Sequence, residues 1–317
     1  MLNLLRRAAF GFSTEAAGAD WTPPDDPIWI DLISPSRDEE LAVERAFGID
    51  LPTREETSHL EPSSRLYQED GATFLTATLM AHSDDQHPIG TPVTFVLAKG
   101  VLITIRYEKL KAFTIFAQRC EHNPIKDGAD ALLELLDAVV ERAAEILERE
   151  SARVQDISVA IFERPPSTAF GPLLTDLARA QSVTSMARKS LVSIGRLTSF
   201  AALAPELQAT DDRRTHLAST QHDVQSLNEH SGFLSGHISF LLDAALGLIN
   251  IEQNSIIKFF SVVAVVFLPP TLVASIYGMN FDVMPELHWI AGYPWALLLM
   301  AISGVAPFVW FKKKGWL

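Results

Sequence analysis

The chain of 317 residues carries 39 acidic and 26 basic side chains, a net charge of −13, and is 48% hydrophobic. That length allows two or three packed units, and the acidic balance argues against nucleic acid as a partner, which would need a basic patch. The single cysteine, Cys120, excludes a disulfide framework or a thiolate metal cluster within one chain and suits a reducing compartment. Residues 250–317 hold three of the acids and four of the bases, which leaves 36 acids and 22 bases in the first 249 residues. An acidic body suited to meeting cations therefore precedes an apolar tail.

In chain order, the opening "MLNLLRRAAFGFSTEAAGAD" has an apolar run broken by Gly11, Ser13, Thr14 and Glu15, so no signal peptide is expected and the body is placed in the cytoplasm. "IWIDLIS" (28–34) reads as a strand. Ser36 and Glu39 then form a capping box for a helix over 37–47. A second strand is expected over 73–82, and two β-rich runs flank Lys99-Gly100, a hairpin signal. These elements predict a small α/β domain over roughly 20–120, within an N-terminal domain bounded at 1–128.

From about 129 the apolar spacing becomes helical, at Leu132, Leu133, Leu136, Val139, Val140, Ala143, Ile146 and Leu147. This helix is expected to stop at Pro165-Pro166, and a second to cover 171–203 and end near Pro205. A third begins after Asp211-Asp212 and meets no proline for 56 residues, until Pro269. At 1.5 Å per residue that is about 84 Å, too long for one ordinary domain. It reads as a stalk (129–255) that runs into a membrane.

Residues 259–276 and 293–311 are runs of 18 and 19 residues without a charge, close to the ~20 needed to cross the hydrocarbon core. They set a first span at 256–277, a loop at 278–292, a second span at 293–311 and a basic tail at 312–317. Trp289, Tyr293, Trp295, Trp310 and Trp316 sit near span ends, and Lys312–Lys314 follow the second span. The positive-inside rule then puts both termini in the cytoplasm, with the loop and its acids Asp282 and Glu286 outside. Two helices cannot enclose a water-filled pore, so conduction requires an oligomer with one helix per subunit around an axis.

On a wheel of about 100° per residue with Asp243 at 0°, Asn250 falls at about −20°, Asn254 at +20°, Ile257 at −40°, Ser261 at 0° and Leu268 at −20°. That stripe carries polar groups at some levels and apolar groups at others. It suits a pore lining; the alternative is a polar stripe packed between helices. Pro269-Pro270 frees carbonyls one turn earlier, around Val265 and Val266. In lipid those carbonyls need partners or water, so either a working kink or tolerance by a neighbouring helix is expected.

"YGMNF" after the first span, then "MPEL", then a second span ending in "FKKKGWL", resembles the CorA family of magnesium channels, and "IWIDLISPSRDEE" extends the resemblance more weakly toward the N-terminus. The resemblance implies a funnel-shaped homopentamer: an α/β cytoplasmic domain, long stalk helices and a two-helix transmembrane hairpin in a bacterial inner membrane. It implies that Gly278, Met279 and Asn280 select the ion. It makes Asn254 a pore asparagine, Ile257 and Leu268 hydrophobic constrictions, Thr271 a pore polar position and Asp243 a stalk acid facing the axis. Mg²⁺ is implied both as cargo and as regulator, the latter held between subunits by Asp223 with Asp84 or Asp85.

Chemically, a ring of Asn280 amides offers neutral acceptors to a hydrated Mg²⁺, an ion that sheds its waters slowly. Met279 suits packing better than ligation, because a thioether is a poor partner for a hard ion. The expected function is Mg²⁺ uptake down the electrochemical gradient, with Co²⁺ and Ni²⁺ as further candidate ions and internal Mg²⁺ closing the channel. Membrane lipid and hydrated divalent cations are the expected partners besides other copies of the chain. Zinc transport within the same superfamily is the alternative raised by His216, His222, His230 and His237. A membrane-anchored scaffold without a pore is another. An enzyme is not expected, since neither a nucleotide loop nor a nucleophile motif is found.

Overall fold

The computed structural model describes residues 2–6, 12–15, 21–23, 26–59, 65–85, 88–120, 125–163, 169–280, 282 and 284–315. They divide into two compact units, Met1–Leu242 and Asp243–Leu317.

In the first unit, strands β1 (Leu2–Arg6), β2 (Phe12–Glu15), β3 (Pro27–Ile33), β4 (Leu66–Glu69), β5 (Ala72–Ala81), β6 (Ile89–Ala98) and β7 (Val101–Arg106) form one sheet in the order β2-β1-β3-β7-β6-β5-β4. Among the described strands only β3 and β7 pair in parallel. Because successive side chains point to opposite faces, β3 serves two cores. Ile30 and Leu32 face one way, with Leu2, Leu4, Phe74, Val96, Ile103 and, from helix α1 (Arg37–Phe47), Val43 and Phe47. Trp29 and Asp31 face the other way. There Trp29 lies 4.8 Å from Phe116 and 6.1 Å from Phe113, ring to ring, on α3 (Lys111–Cys120).

Helix α1 (Arg37–Phe47) starts on the expected capping box: Ser36 Oγ accepts from Glu39 N–H, and Glu39 accepts from Ser36 N–H. It ends at Gly48 in the left-handed region, φ 67°. The β6–β7 turn takes Lys99 and Gly100 at φ 51° and 78°, the pair of positive values a two-residue hairpin needs. The 28–34 and 73–82 strands are found as β3 and β5.

Three strands go beyond the sequence reading. β4 returns to β5 through Asp70-Gly71, at φ 50° and 74°, a turn signal of the same kind as Lys99-Gly100. β1 and β2 lie in the opening segment read only as lacking a signal peptide; β1 pairs with β3, and Leu2 and Leu4 are fully buried. A five-residue strand carries too little periodicity to be seen without its partner. A short helix, α2 (Arg54–His59), completes this part.

Helices α4 (Gly128–Phe162) and α5 (Phe170–Ala201) cover the sheet; α4 packs on α3 and on β3, β6 and β7, and α5 on β5 and β6. Pro165-Pro166, expected to stop α4, lie outside the described residues. At its start, a Cβ on Gly128 would lie 2.3 Å from the Leu102 amide nitrogen, so the helix meets the strand at glycine distance. After a one-turn helix α6 (Pro205–Gln208), α7 runs from Asp211 to Tyr277. Within the first unit its buried positions Leu217, Thr220, Val224, Ser231, Leu234, Ile238 and Leu241 are three, four or seven apart, the spacing of a coiled-coil seam. Gln221 Nε2 donates to Thr198 O and Gln181 Nε2 to Ser235 Oγ, so α5 and α7 run antiparallel.

Asp127 joins two of these helices. Its Oδ1 accepts from the Ala129 and Asp130 amides at 3.0 and 3.1 Å, capping α4, and its Oδ2 accepts from Arg213 of α7 at 2.6 Å. Burial works to raise its pKa, but the Arg213 guanidinium and the capping amides hold it below the usual carboxylate range. A depressed carboxylate contributes stability above its unfolded pKa, near 3.9, and loses it as pH falls through the folded value. Asp127→Ala should therefore destabilise the protein by about 1–2 kcal/mol near neutrality. Thermal melts should show the gap from wild type narrowing below about pH 4; a gap independent of pH would reduce Asp127 to a packing role.

In the second unit, α7 runs unbroken through Pro269-Pro270 to Tyr277, and α8 covers Gly292–Lys313. The two helices meet at Gly304, and Val262, Ala296 and Phe311 are all under a tenth exposed. Prolines 269 and 270 leave the Val265 and Val266 carbonyls without their helical amides. A Cβ on Gly304 of α8 would meet Pro270 Cγ at 3.3 Å and the Val266 oxygen at 3.4 Å. The neighbouring helix thus closes against the diproline at a glycine.

Candidate functional site

The stripe picked out on the wheel lies on a face of α7 that its own chain leaves uncovered. Asp243, Asn250, Asn254, Ile257, Ser261 and Leu268 are all exposed, Leu268 to 71%; from Asn250 to Ser261 every residue of α7 is exposed, so the contrast between its faces begins at Val262. Val266 and Pro270 meet Gly304 of α8 and Val262 is buried, at about +140°, +180° and +100° on the same wheel. Their mean direction lies roughly 150° from that of the stripe, so α8 does not occupy it. Thr271 is exposed, and its hydroxyl donates to the Phe267 carbonyl at 2.7 Å, which commits its proton to the backbone.

The two helices are long and apolar enough to cross a membrane, and only 6% and 11% of their most apolar windows are buried. A core helix of a water-soluble domain would be mostly covered. So large an uncovered apolar surface requires lipid or other copies of the chain around it.

At the end of α7 the chain turns tightly. Gly278 N–H donates to Ala274 O at 2.9 Å and Met279 N–H to Ile276 O at 3.3 Å. Met279 and Asn280 follow exposed, as are Asp282 and Glu286. The Pro285–His288 segment forms a 3₁₀ turn that leads into α8. There a Cβ on Gly292 would lie 2.2 Å from the Glu286 oxygen, so the "MPEL" turn closes on the α8 N-terminus at a distance only glycine allows. Phe281 and Val283 lie outside the described residues.

In the first unit, Asp84 sits in a cage of cations: Arg142 at 2.6 Å, Arg149 at 2.8 Å and Lys111 at 3.4 Å. Burial pulls its pKa up, yet the bonds from Arg149 and Arg142 hold it at about 2. Asp85 instead accepts from His82 Nδ1 at 3.0 Å, while His82 Nε2 meets Glu108 at 3.1 Å. The Glu108 and Asp85 carboxylates raise the His82 pKa. Asp223 is exposed on α7. Among the described residues no group of three or more His, Cys, Asp or Glu converges to hold a metal ion within one chain.

Cys120, His216 and His237 have structural settings, while His222 and His230 are exposed on α7. Cys120 is buried, and burial pushes its thiol up to about 12, far from the thiolate a metal or redox role needs. His216 pairs with Asp137, which also accepts from Thr220 Oγ at 2.7 Å. His237 lies against the Phe233 ring.

The CorA-like Mg²⁺ transporter family model matches residues 24–313. The magnesium transport protein CorA of Escherichia coli K12 is 36% identical over 297 residues, covering 93% of each chain. That of Salmonella typhimurium LT2 is 35% identical over 294 residues, 92% of each. The complete structure of the CorA magnesium transporter from Methanocaldococcus jannaschii aligns over 100% of this chain and 99% of its own with a TM-score of 0.77 at 17% identity. The ZntB cytoplasmic domain from Vibrio parahaemolyticus aligns over 79% of this chain and 98% of its own with a TM-score of 0.59 at 12% identity. At such identities these two structures speak for the fold alone. With 290 of its residues inside the family match and a third of them shared with curated relatives along nine-tenths of their length, the chain belongs to the CorA-like Mg²⁺ transporter family.

Proposed function

We propose that this protein is a Mg²⁺ channel that admits the ion across a bacterial inner membrane, as a homopentamer with α7 around the central axis. The observation that carries it is the exposed stripe of Asp243, Asn250, Asn254 and Ser261, leading along α7 to Gly278-Met279-Asn280. Family membership supports the ion. It also makes the protein a transporter rather than an enzyme.

Hydrated Mg²⁺ meets Asn280 amides at the outer mouth, where Asp282 and Glu286 raise the local cation concentration without gripping the ion. Ile257 and Leu268 form apolar constrictions that stop conduction by dewetting. Asn254, Ser261, Thr271 and Asn250 offer oxygen atoms between them, and Asp243 supplies charge at the inner end. An inside-negative potential supplies ~2.3 kcal/mol per charge per 100 mV, roughly twice that for a divalent ion. The orientation rests on Lys312–Lys314, which put both termini in the cytoplasm.

Internal Mg²⁺ closes the channel by bridging acids of adjacent subunits. Asp223 and Asp85 are the pair we propose: Asp84 is already neutralised by three cations of its own chain, so it serves as a fixed post beside Asp85. Falling Mg²⁺ lets the acids repel and the constrictions hydrate.

The test is influx into liposomes carrying the full chain and a Mg²⁺-sensitive dye. Influx should rise with an imposed inside-negative potential and fall when Co²⁺ or Ni²⁺ competes. An intact oligomer that passes no Mg²⁺ would leave the scaffold reading; Zn²⁺ flux without Mg²⁺ flux would establish the zinc alternative.

A further inference from the structure

The outer face of α8 carries a groove that the ion pathway does not use. It is about 550 Å³ and is lined by Ala301, Ile302, Val305, Ala306, Val309, Trp310 and Lys313. On α8, Gly304 meets α7, and Ala296 and Phe311 are the buried side chains. On a wheel of about 100° per residue the groove is centred roughly 180° from them. Its floor is small or β-branched, which leaves room along the helix. One end is apolar and the other is cationic: Lys313 closes the groove, Lys312 and Lys314 flank it, and Lys314 Nζ lies 5.5 Å from the Trp310 ring centroid.

We infer that this groove is a binding site for one anionic phospholipid, its acyl chain along Ala301–Val309 and its headgroup at Lys312–Lys314. The dimensions agree. Ala301 to Lys313 spans about 18 Å at 1.5 Å per residue, and the hydrocarbon of a single leaflet is about 15 Å deep, half of ~30 Å. The chemistry agrees as well. An indole beside an ammonium at the end of an apolar run suits the headgroup level, and each juxtamembrane lysine favours anionic lipid by about fivefold. A second copy's helix would bring little opposite charge to these three lysines, since α8 contains no acid and α7 between Ile251 and Tyr277 has only Glu252.

This rests on the membrane reading above, but not on conduction. The full chain, equilibrated with mixed dioleoylphosphatidylglycerol and dioleoylphosphatidylcholine and examined by native mass spectrometry, should retain the glycerol lipid selectively, whether or not it passes Mg²⁺. Neutralising Lys312, Lys313 and Lys314 to Gln should weaken that retention about fivefold per lysine. Ala306→Phe should abolish it with the lysines intact; Ala301→Leu fills the same groove where the larger change does not fold. Lys258→Gln should leave retention unchanged, and excess glycerol 3-phosphate should not displace the lipid. Equal retention of both lipids, or anionic retention that survives groove filling, would overturn the site. A disulfide between copies through Val305→Cys would overturn it too, by making this face a subunit interface.

Discussion

Asn280→Ala should abolish Mg²⁺ influx into liposomes while the oligomer still forms. Asn280 follows the last turn of α7 and is exposed, so its loss removes no internal packing. What goes, on the proposed function, is a carboxamide that accepts hydrogen bonds from the water shell of Mg²⁺. A hydrogen bond to a charged group is worth about 1.5–3 kcal/mol, or roughly ten- to a hundredfold in an equilibrium. A ring of such groups multiplies the effect, so influx should fall by more than about a hundredfold. Asn280→Asp separates recognition from charge: a ring of carboxylates should hold the ion and slow its exit, so flux saturates at lower Mg²⁺. Dye flux and size-exclusion light scattering on the same preparations read both outcomes. Normal flux through the alanine variant would remove Asn280 from the filter.

Arg106→Leu is expected to have the largest effect on stability. Arg106 Nη2 and Nε donate to Asp31 Oδ2 and Oδ1 at 2.8 and 3.1 Å, with side-chain exposures of only 7% and 3%. Thr104 Oγ donates to the same carboxylate at 2.8 Å, and Trp29 Nε1 donates to Thr104 at 2.9 Å. The guanidinium also lies 4.6 Å from the Phe113 ring centroid. Taking away the arginine leaves a buried carboxylate with a hydroxyl as its remaining partner. Breaking one side of such a pair costs about 3–5 kcal/mol, a large share of a typical 5–15 kcal/mol. The melting temperature of the full chain should fall by about 6–20 °C. Replacing Asp31 with Leu in the same chain should recover part of the loss, because the uncompensated charge goes with it. A single variant as stable as wild type would show that water reaches this pair.

The elements legible in the sequence were those whose signal is local. Ser36 and Glu39 cap α1 within four residues. Lys99-Gly100 makes a turn by its own backbone preference, and an uncharged run of 18 or 19 residues declares its own length. β1 and β4 were not read, because four or five residues acquire meaning only beside a paired strand, although Asp70-Gly71 marked the turn into β5. The seam of α7 against α5 was also missed: its positions mix Thr and Ser with Leu and Val, so burial there follows from the partner helix rather than from hydropathy.

The candidate site divides along the same line. "GMN", "MPEL" and the polar stripe from Asp243 to Ser261 could be read directly, since a helix converts spacing into a face without help from elsewhere. That the upper part of the stripe is open needed α8 in place against Val266 and Pro270. Asp31 and Arg106 are 75 residues apart, and Asp84 is 58 and 65 residues from Arg142 and Arg149; no periodicity relates such residues. By itself the sequence determined the family, the two apolar spans, the long helix and the loop chemistry, all carried by contiguous residues and backbone geometry. Only the tertiary structure decided which carboxylates are already neutralised, which face of each apolar helix is spent on the other, and where glycine is required. Those outcomes depend on which surfaces meet, and chain folding sets that meeting between residues far apart in the sequence.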